Sequence, residues 1–122
     1  MKTFKDLQVW QKAHHLALEV YRLTRSFPAD ERYGLVAQMR RASVSIAANI
    51  AEGHRRQSKR EFLHFLNIAH GSLDELQYYI LLACDLGYLT TPASEQCAVL
   101  AQDVGKMLNG LRSHIKKEVH DD

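Results

Sequence analysis

Apolar residues recur three and four positions apart along most of the chain, and no stretch of useful length alternates apolar with polar in the manner of a strand. In the first segment Leu7, Trp10, His14, Ala17, Tyr21 and Thr24 keep this rhythm. Phe27-Pro28 closes the segment, because proline has no amide with which to extend a helix. Leu35, Met39, Ala42, Ile46 and Ile50 carry the second segment to Gly53, which reads as a left-handed stop. The third opens on Ser58-Lys59-Arg60-Glu61, the pattern of a capping box, where serine and glutamate side chains each take up a free backbone amide. Phe62, Leu66, Ala69, Leu73, Leu76, Ile80 and Ala83 mark its stripe, which ends near Gly87. The fourth starts around Thr91-Pro92 and runs through Cys97, Ala101, Val104, Leu108, Leu111 and Ile115. Helices over about 5–26, 31–53, 58–86 and 92–118, with short connections, predict a single domain spanning 1–122. Its expected fold is all-α, an antiparallel up-down four-helix bundle.

Some apolar positions fall outside these stripes. The run YYILLAC at 78–84 is apolar on every side of its helix, and Leu63, Ile68, Leu100 and Met107 also lie off the main faces. A helix that is apolar all round is buried all round, so the bundle is expected to self-associate. The second segment is rich in Ala and Ser, and Gly71-Ser72 in the third offers a thin spot against which small side chains could pack closely. Asn49, if buried there, needs hydrogen-bond partners, which points to a structural network.

The 122 residues are 46% hydrophobic and 25% charged, as in an ordinary globular domain. The opening MKTFKDLQVWQKAHH lacks the apolar core of a signal peptide, and no stretch is long and apolar enough for a membrane span, so the expected location is cytoplasmic. Cys84 and Cys97 read as reduced, packed thiols.

Charge changes the account more than composition does. The net charge is +2, yet residues 1–60 hold 12 Lys/Arg against 5 Asp/Glu, while residues 61–105 hold six acids and no Lys or Arg. Such segregation predicts two electrostatic faces, one suited to a polyanion. The stretch HRRQSKR at 54–60 concentrates Arg55, Arg56, Lys59 and Arg60 at a helix connection, and Arg40 and Arg41 stand side by side in the second helix. These six are the candidate nucleic-acid-binding residues, with phosphate as the ligand group. A solvated loop, or arginines paired with Glu31, Glu52 or a neighbouring subunit, is the alternative. Tyr33 could stack on a base or pack a helix start.

Catalytic motifs are lacking. Arg60 and His64 sit four apart, closer than the arginine-to-histidine spacing of some small helical ribonucleases, and the seven histidines show no HExxH-type spacing. No catalytic residue, metal ligand or cofactor is therefore assigned.

YGLVAQMRRASVSIAANIAEG (33–53) followed by FLHFLNIAHGSLDEL (62–76) resembles the four-helix-bundle proteins encoded in intervening sequences of bacterial 23S ribosomal RNA genes. FKDLQVWQKA (4–13), the Phe-Pro pair and LGYL (86–89) fit the same pattern, so the resemblance covers nearly the whole chain. It implies a bacterial cytoplasmic protein that assembles as a ring-shaped homopentamer. It also implies distant kinship with the accessory protein of diversity-generating retroelements, which joins a reverse transcriptase and binds nucleic acid through a basic surface. The expected function is non-catalytic binding of RNA or DNA with little sequence preference, with a larger nucleic-acid-processing protein as a further partner. The alternative is a protein-interaction scaffold or accessory subunit whose basic cluster serves subunit contacts.

Overall fold

The computed structural model describes residues 3–119 and contains four long helices: α1 (Gln8–Thr24), α2 (Leu35–Arg55), α3 (Lys59–Asp85) and α4 (Thr91–Val119). Short 3-10 turns at Phe4–Asp6 and Ala29–Glu31 precede α1 and α2. Each helix packs against its two neighbours in the order α1, α2, α3, α4 and back to α1, which makes the expected antiparallel bundle. The core is built from the stripes that define the helices. Leu16 and Val20 of α1, Met39, Ile46 and Ile50 of α2, Leu66 and Leu76 of α3, and Val104 and Leu108 of α4 are sealed from solvent. No described helix is long and apolar enough to cross a membrane.

Three of the four expected faces lie inward; α1 differs. Its buried positions are Val9, Ala13, Leu16, Ala17, Val20 and Thr24, while His14 and Tyr21 are exposed. At 100° per residue the true core stripe is rotated by roughly 80° from the expected one. The cause is chemical. Two overlapping stripes satisfy the same spacing, and burial selects the aliphatic one, leaving Trp10 stacked on His14 along the flank (centroids 5.0 Å apart).

The glycines also exchange roles. Gly53 continues α2 rather than ending it, and the single described residue with positive φ is Gly87 at +81°. There the Tyr88 amide donates to the Ala83 carbonyl at 2.9 Å and the Gly87 amide to the Cys84 carbonyl at 3.0 Å, the paired bonds of a Schellman stop. Gly71 is exposed with open space where a side chain would begin, so Gly71→Leu has no neighbouring helix to overpack. The close approach between α2 and α3 is instead at Gly53, where a Cβ would lie 2.8 Å from Phe65 Cβ.

The small residues of α2 do meet α3 at a polar contact. Ser45 and Ser72 share a 2.7 Å hydrogen bond, and half-buried Asn49 donates to the Ser45 carbonyl at 2.8 Å and to its hydroxyl at 3.0 Å. Among the described residues no buried side-chain nitrogen or oxygen lacks a partner. Ser58 caps α3 by accepting the Glu61 amide at 3.1 Å, while the Glu61 carboxylate turns to the Ser58 hydroxyl rather than to a backbone amide. The complete capping box is at Thr3 and Asp6.

Candidate nucleic-acid interface

One end of the bundle gathers the start of α1, the end of α2, the start of α3 and the end of α4. Arg55 of α2 lies over the Phe4 ring at 5.1 Å, and Lys59 Nζ of α3 reaches Glu118 Oε2 of α4 at 3.5 Å. These contacts draw Arg55, Arg56, Lys59 and Arg60 to one pole, where Lys5, Lys116 and Lys117 join them. The carboxylates described in the same terminal turns are Asp6, Glu52, Glu61 and Glu118, so positive charge predominates there.

The local sequence explains the placement. Arg55 falls in the last turn of α2, and Lys116 and Lys117 in the last turn of α4, where cations complement the helix dipole. Residues 56–58 form the connection, which the Ser58 cap terminates as α3 begins. The ion pairs of Arg56 and Lys59 are both exposed: Arg56 Nη2 meets Glu52 Oε1 at 3.0 Å, and Lys59 meets Glu118. Glu118 Oε1 also lies 2.8 Å from His114 Nε2. Exposed pairs of this kind contribute about 0–1 kcal/mol, so a phosphate could replace either carboxylate at little cost. Arg60 is exposed and has no ion pair, hydrogen bond or ring contact among the described residues.

The two remaining candidates are elsewhere. Arg40 and Arg41 stand about 20 Å from Arg55, given a rise of about 1.5 Å per residue over 14 or 15 residues. Both are engaged within the chain. Arg40 donates from Nε to Thr24 Oγ1 at 3.0 Å and covers the Tyr21 ring at 4.5 Å, which ties α2 to the end of α1. Arg41 Nη2 binds Glu75 Oε1 of α3 at 2.8 Å. The guanidinium holds the Glu75 carboxyl below its ordinary value, and Glu75 in turn raises Arg41. The six residues thus form two groups, and the structure does not bring them together as one patch. Tyr33 packs no helix start; it is 86% exposed beside Arg32, near the opposite end from the basic pole.

Sequence reasoning missed the aromatic surfaces beneath the polar arginines. Arg55 lies on Phe4, and Arg56 lies 4.9 Å from the Phe65 ring centroid. The Phe4 contact joins positions 51 apart, for which local spacing has no signal. Arg112 is a further residue that spacing does not single out. It donates to Asn67 Oδ1 at 3.0 Å and Asn109 Oδ1 at 2.9 Å, one turn above the pole.

Arg60 and His64 share the outer face of α3, exposed, with His64 edge-on to Phe65 at 5.3 Å. Among the described residues no three or more His, Cys, Asp or Glu side chains converge as metal ligands would.

Residues 5–110 match the sequence profile described as 23S rRNA-intervening sequence protein. Among solved structures, a protein of unknown function from the S23 ribosomal protein family of Bacteroides thetaiotaomicron is similar, with a TM-score of 0.78 and 27% identity over 85% of this chain and 97% of that one. No curated protein matches the chain.

Proposed function

The chain belongs to the 23S rRNA-intervening sequence protein family, and from that premise we propose that it is a non-catalytic, self-assembling protein that binds RNA or DNA by its phosphate backbone. The observation that carries the reading is the basic pole. Arg55, Arg56, Lys59 and Arg60 crowd one end of the bundle, beside Lys116 and Lys117, with carboxylates too few and too exposed to neutralise them. Assembly into a ring, the pentamer being the expected form, would repeat this pole around a common axis and multiply individually weak contacts. The exposed Tyr78 and Leu81 of the YYILLAC run support assembly, since the short connections of the bundle leave them uncovered. Phosphate contact without base readout makes the binding tolerant of sequence. A larger nucleic-acid-processing protein sharing the assembly, as kinship with the retroelement accessory protein would imply, is the further partner in this reading.

The test is fluorescence anisotropy with unrelated single-stranded and duplex oligonucleotides over a range of salt concentrations. Wild type should bind all of them with affinity that falls steeply as salt rises. Replacing Arg55, Arg56, Lys59 and Arg60 with Gln should flatten the log–log salt slope by about 0.7–0.9 for each phosphate that is no longer neutralised. Arg32→Gln, exposed at the opposite end of the bundle, should leave the slope as it is. Binding that is unchanged in the quadruple variant, or absent in wild type at low salt, would refute the assignment.

A further inference from the structure

Both α2 and α3 carry a second helical stripe that faces away from the core. On α2 it runs Ala37, Arg41, Val44, Ala48, Ala51, spaced four and three in alternation, each exposed except half-buried Ala51. On α3 it runs Asn67, Gly71, Asp74, Tyr78, Leu81, Asp85 at the same spacing, and all six are exposed. A repeat of seven residues is the spacing by which one helix seats along another. Among the described residues of the single chain nothing covers either stripe: Val44 is 45% exposed, Tyr78 57% and Leu81 56%.

The surroundings of the two stripes differ in sign. Arg40 lies over Tyr21 of α1, so antiparallel packing brings Leu18, one turn back from Tyr21, level with Val44, one turn on from Arg40. Leu18, Tyr21 and Val44 therefore make one apolar patch, flanked by Arg25, Arg40 and Arg41. On α3 the apolar pair Tyr78 and Leu81 is bracketed by Asp74 and Asp85, and residues 61–105 contain no Lys or Arg. Asp74 has only His70 Nδ1 at 3.5 Å as an ion-pair partner among the described residues. Neither face suits a copy of itself, because a two-fold contact would oppose like charges.

We propose that the basic α1/α2 face centred on Val44 docks on the acidic outer face of α3 centred on Leu81 in a second copy of this chain, head to tail. This deepens the self-assembly reading above and rests on it. A contact between unlike faces leaves one of each kind free on every growing complex, so it continues until a ring closes. It leaves the basic pole outside the interface, which gives the two arginine groups separate work: Arg40 and Arg41 border the subunit contact, and the residues from Arg55 to Arg60 remain open to phosphate.

The test uses Val44→Glu, which sets a carboxylate against the partner's acids, and Leu81→Lys, which sets an ammonium against its arginines. Both sites are exposed, and thermal melts followed by circular dichroism establish that each variant folds. Wild type should sediment as an oligomer at micromolar concentration, and each variant alone near the 14.0 kDa monomer mass. Mixed in equal amounts they should re-form complexes, because the intact basic face of Leu81→Lys meets the intact acidic face of Val44→Glu. A mixture that stays monomeric, or a variant that keeps the wild-type mass, would overturn the assigned faces while leaving assembly itself in place. A monomeric wild type would overturn assembly, and this contact with it.

Discussion

Replacing Gly53 with alanine should destabilise the protein, although the same change in most helices stabilises. A Cβ at Gly53 would lie 2.8 Å from Phe65 Cβ, 2.9 Å from Phe62 Cδ1 and 3.2 Å from the Phe62 carbonyl oxygen. Favourable carbon–carbon separation is about 3.5–4.0 Å, so a gap of nearly 1 Å must be opened. The Phe62 ring can turn away, but Phe65 Cβ is fixed to the α3 backbone, so the two helices must part where they are closest. Overpacking of this kind costs about 1–3 kcal/mol. The gain in helix propensity offsets at most about 1 kcal/mol, and less in the last turn, where Gly53 lies. The net expectation is a loss of about 1–2 kcal/mol, or roughly 4–8 °C in melting temperature for a domain of this size. Gly110→Ala in α4, outside the proposed contact, is the matched control. Nothing lies within 4 Å of its added carbon, so only propensity acts and stability should rise by about 0.5–1 kcal/mol. Melting followed by circular dichroism at one fixed protein concentration separates the two, since concentration itself shifts the midpoint of an oligomer. A neutral or stabilising Gly53→Ala would refute the close approach of α2 and α3, and with it the placement of the basic pole at their junction.

Acid should weaken the fold partly through Glu75. Its carboxyl is held below the ordinary value of 4.5, chiefly by the hydrogen bond from Arg41, so the unfolded chain binds more protons in that range. The stabilisation is present above about pH 4.5 and fades as pH falls toward the folded-state value, and Glu75→Gln should flatten this acid limb in a series of melts. The exposure of the pair keeps the effect modest and sensitive to salt. Cys97 is pushed up to about 11, mainly by burial, so at pH 8 a thiol reagent should modify it only under denaturing conditions. Mass spectrometry of labelled peptides checks this, and rapid labelling of the native protein would show that the start of α4 opens to solvent.

Helix number, order and approximate extent were legible in the sequence because burial repeats at the helical period, and in α2, α3 and α4 the stripe richest in aliphatic residues is the one that faces inward. The segregation of charge along the chain was equally plain, as was the surplus of apolar side chains around Tyr78 and Leu81. In α1 two stripes competed, and only packing against α2 and α4 decided that Val9, Ala13, Leu16 and Val20 would turn inward while Tyr21 lay under Arg40. Glycine carries no side-chain signal, so the sequence could not say which glycine reverses the chain and which admits a neighbour. That depended on Phe65 meeting Gly53 across a junction and on the Schellman bonds closing at Gly87. The grouping of the arginines was also a tertiary outcome. Adjacency in sequence made Arg40 and Arg41 resemble the later cluster, but the rigid rise of α2 sets them about 20 Å away. Arg40 is then held against α1 by Thr24 and the Tyr21 ring, whereas the Arg41–Glu75 pair is as exposed as the pairs at the pole, so position and not pairing sets Arg41 apart.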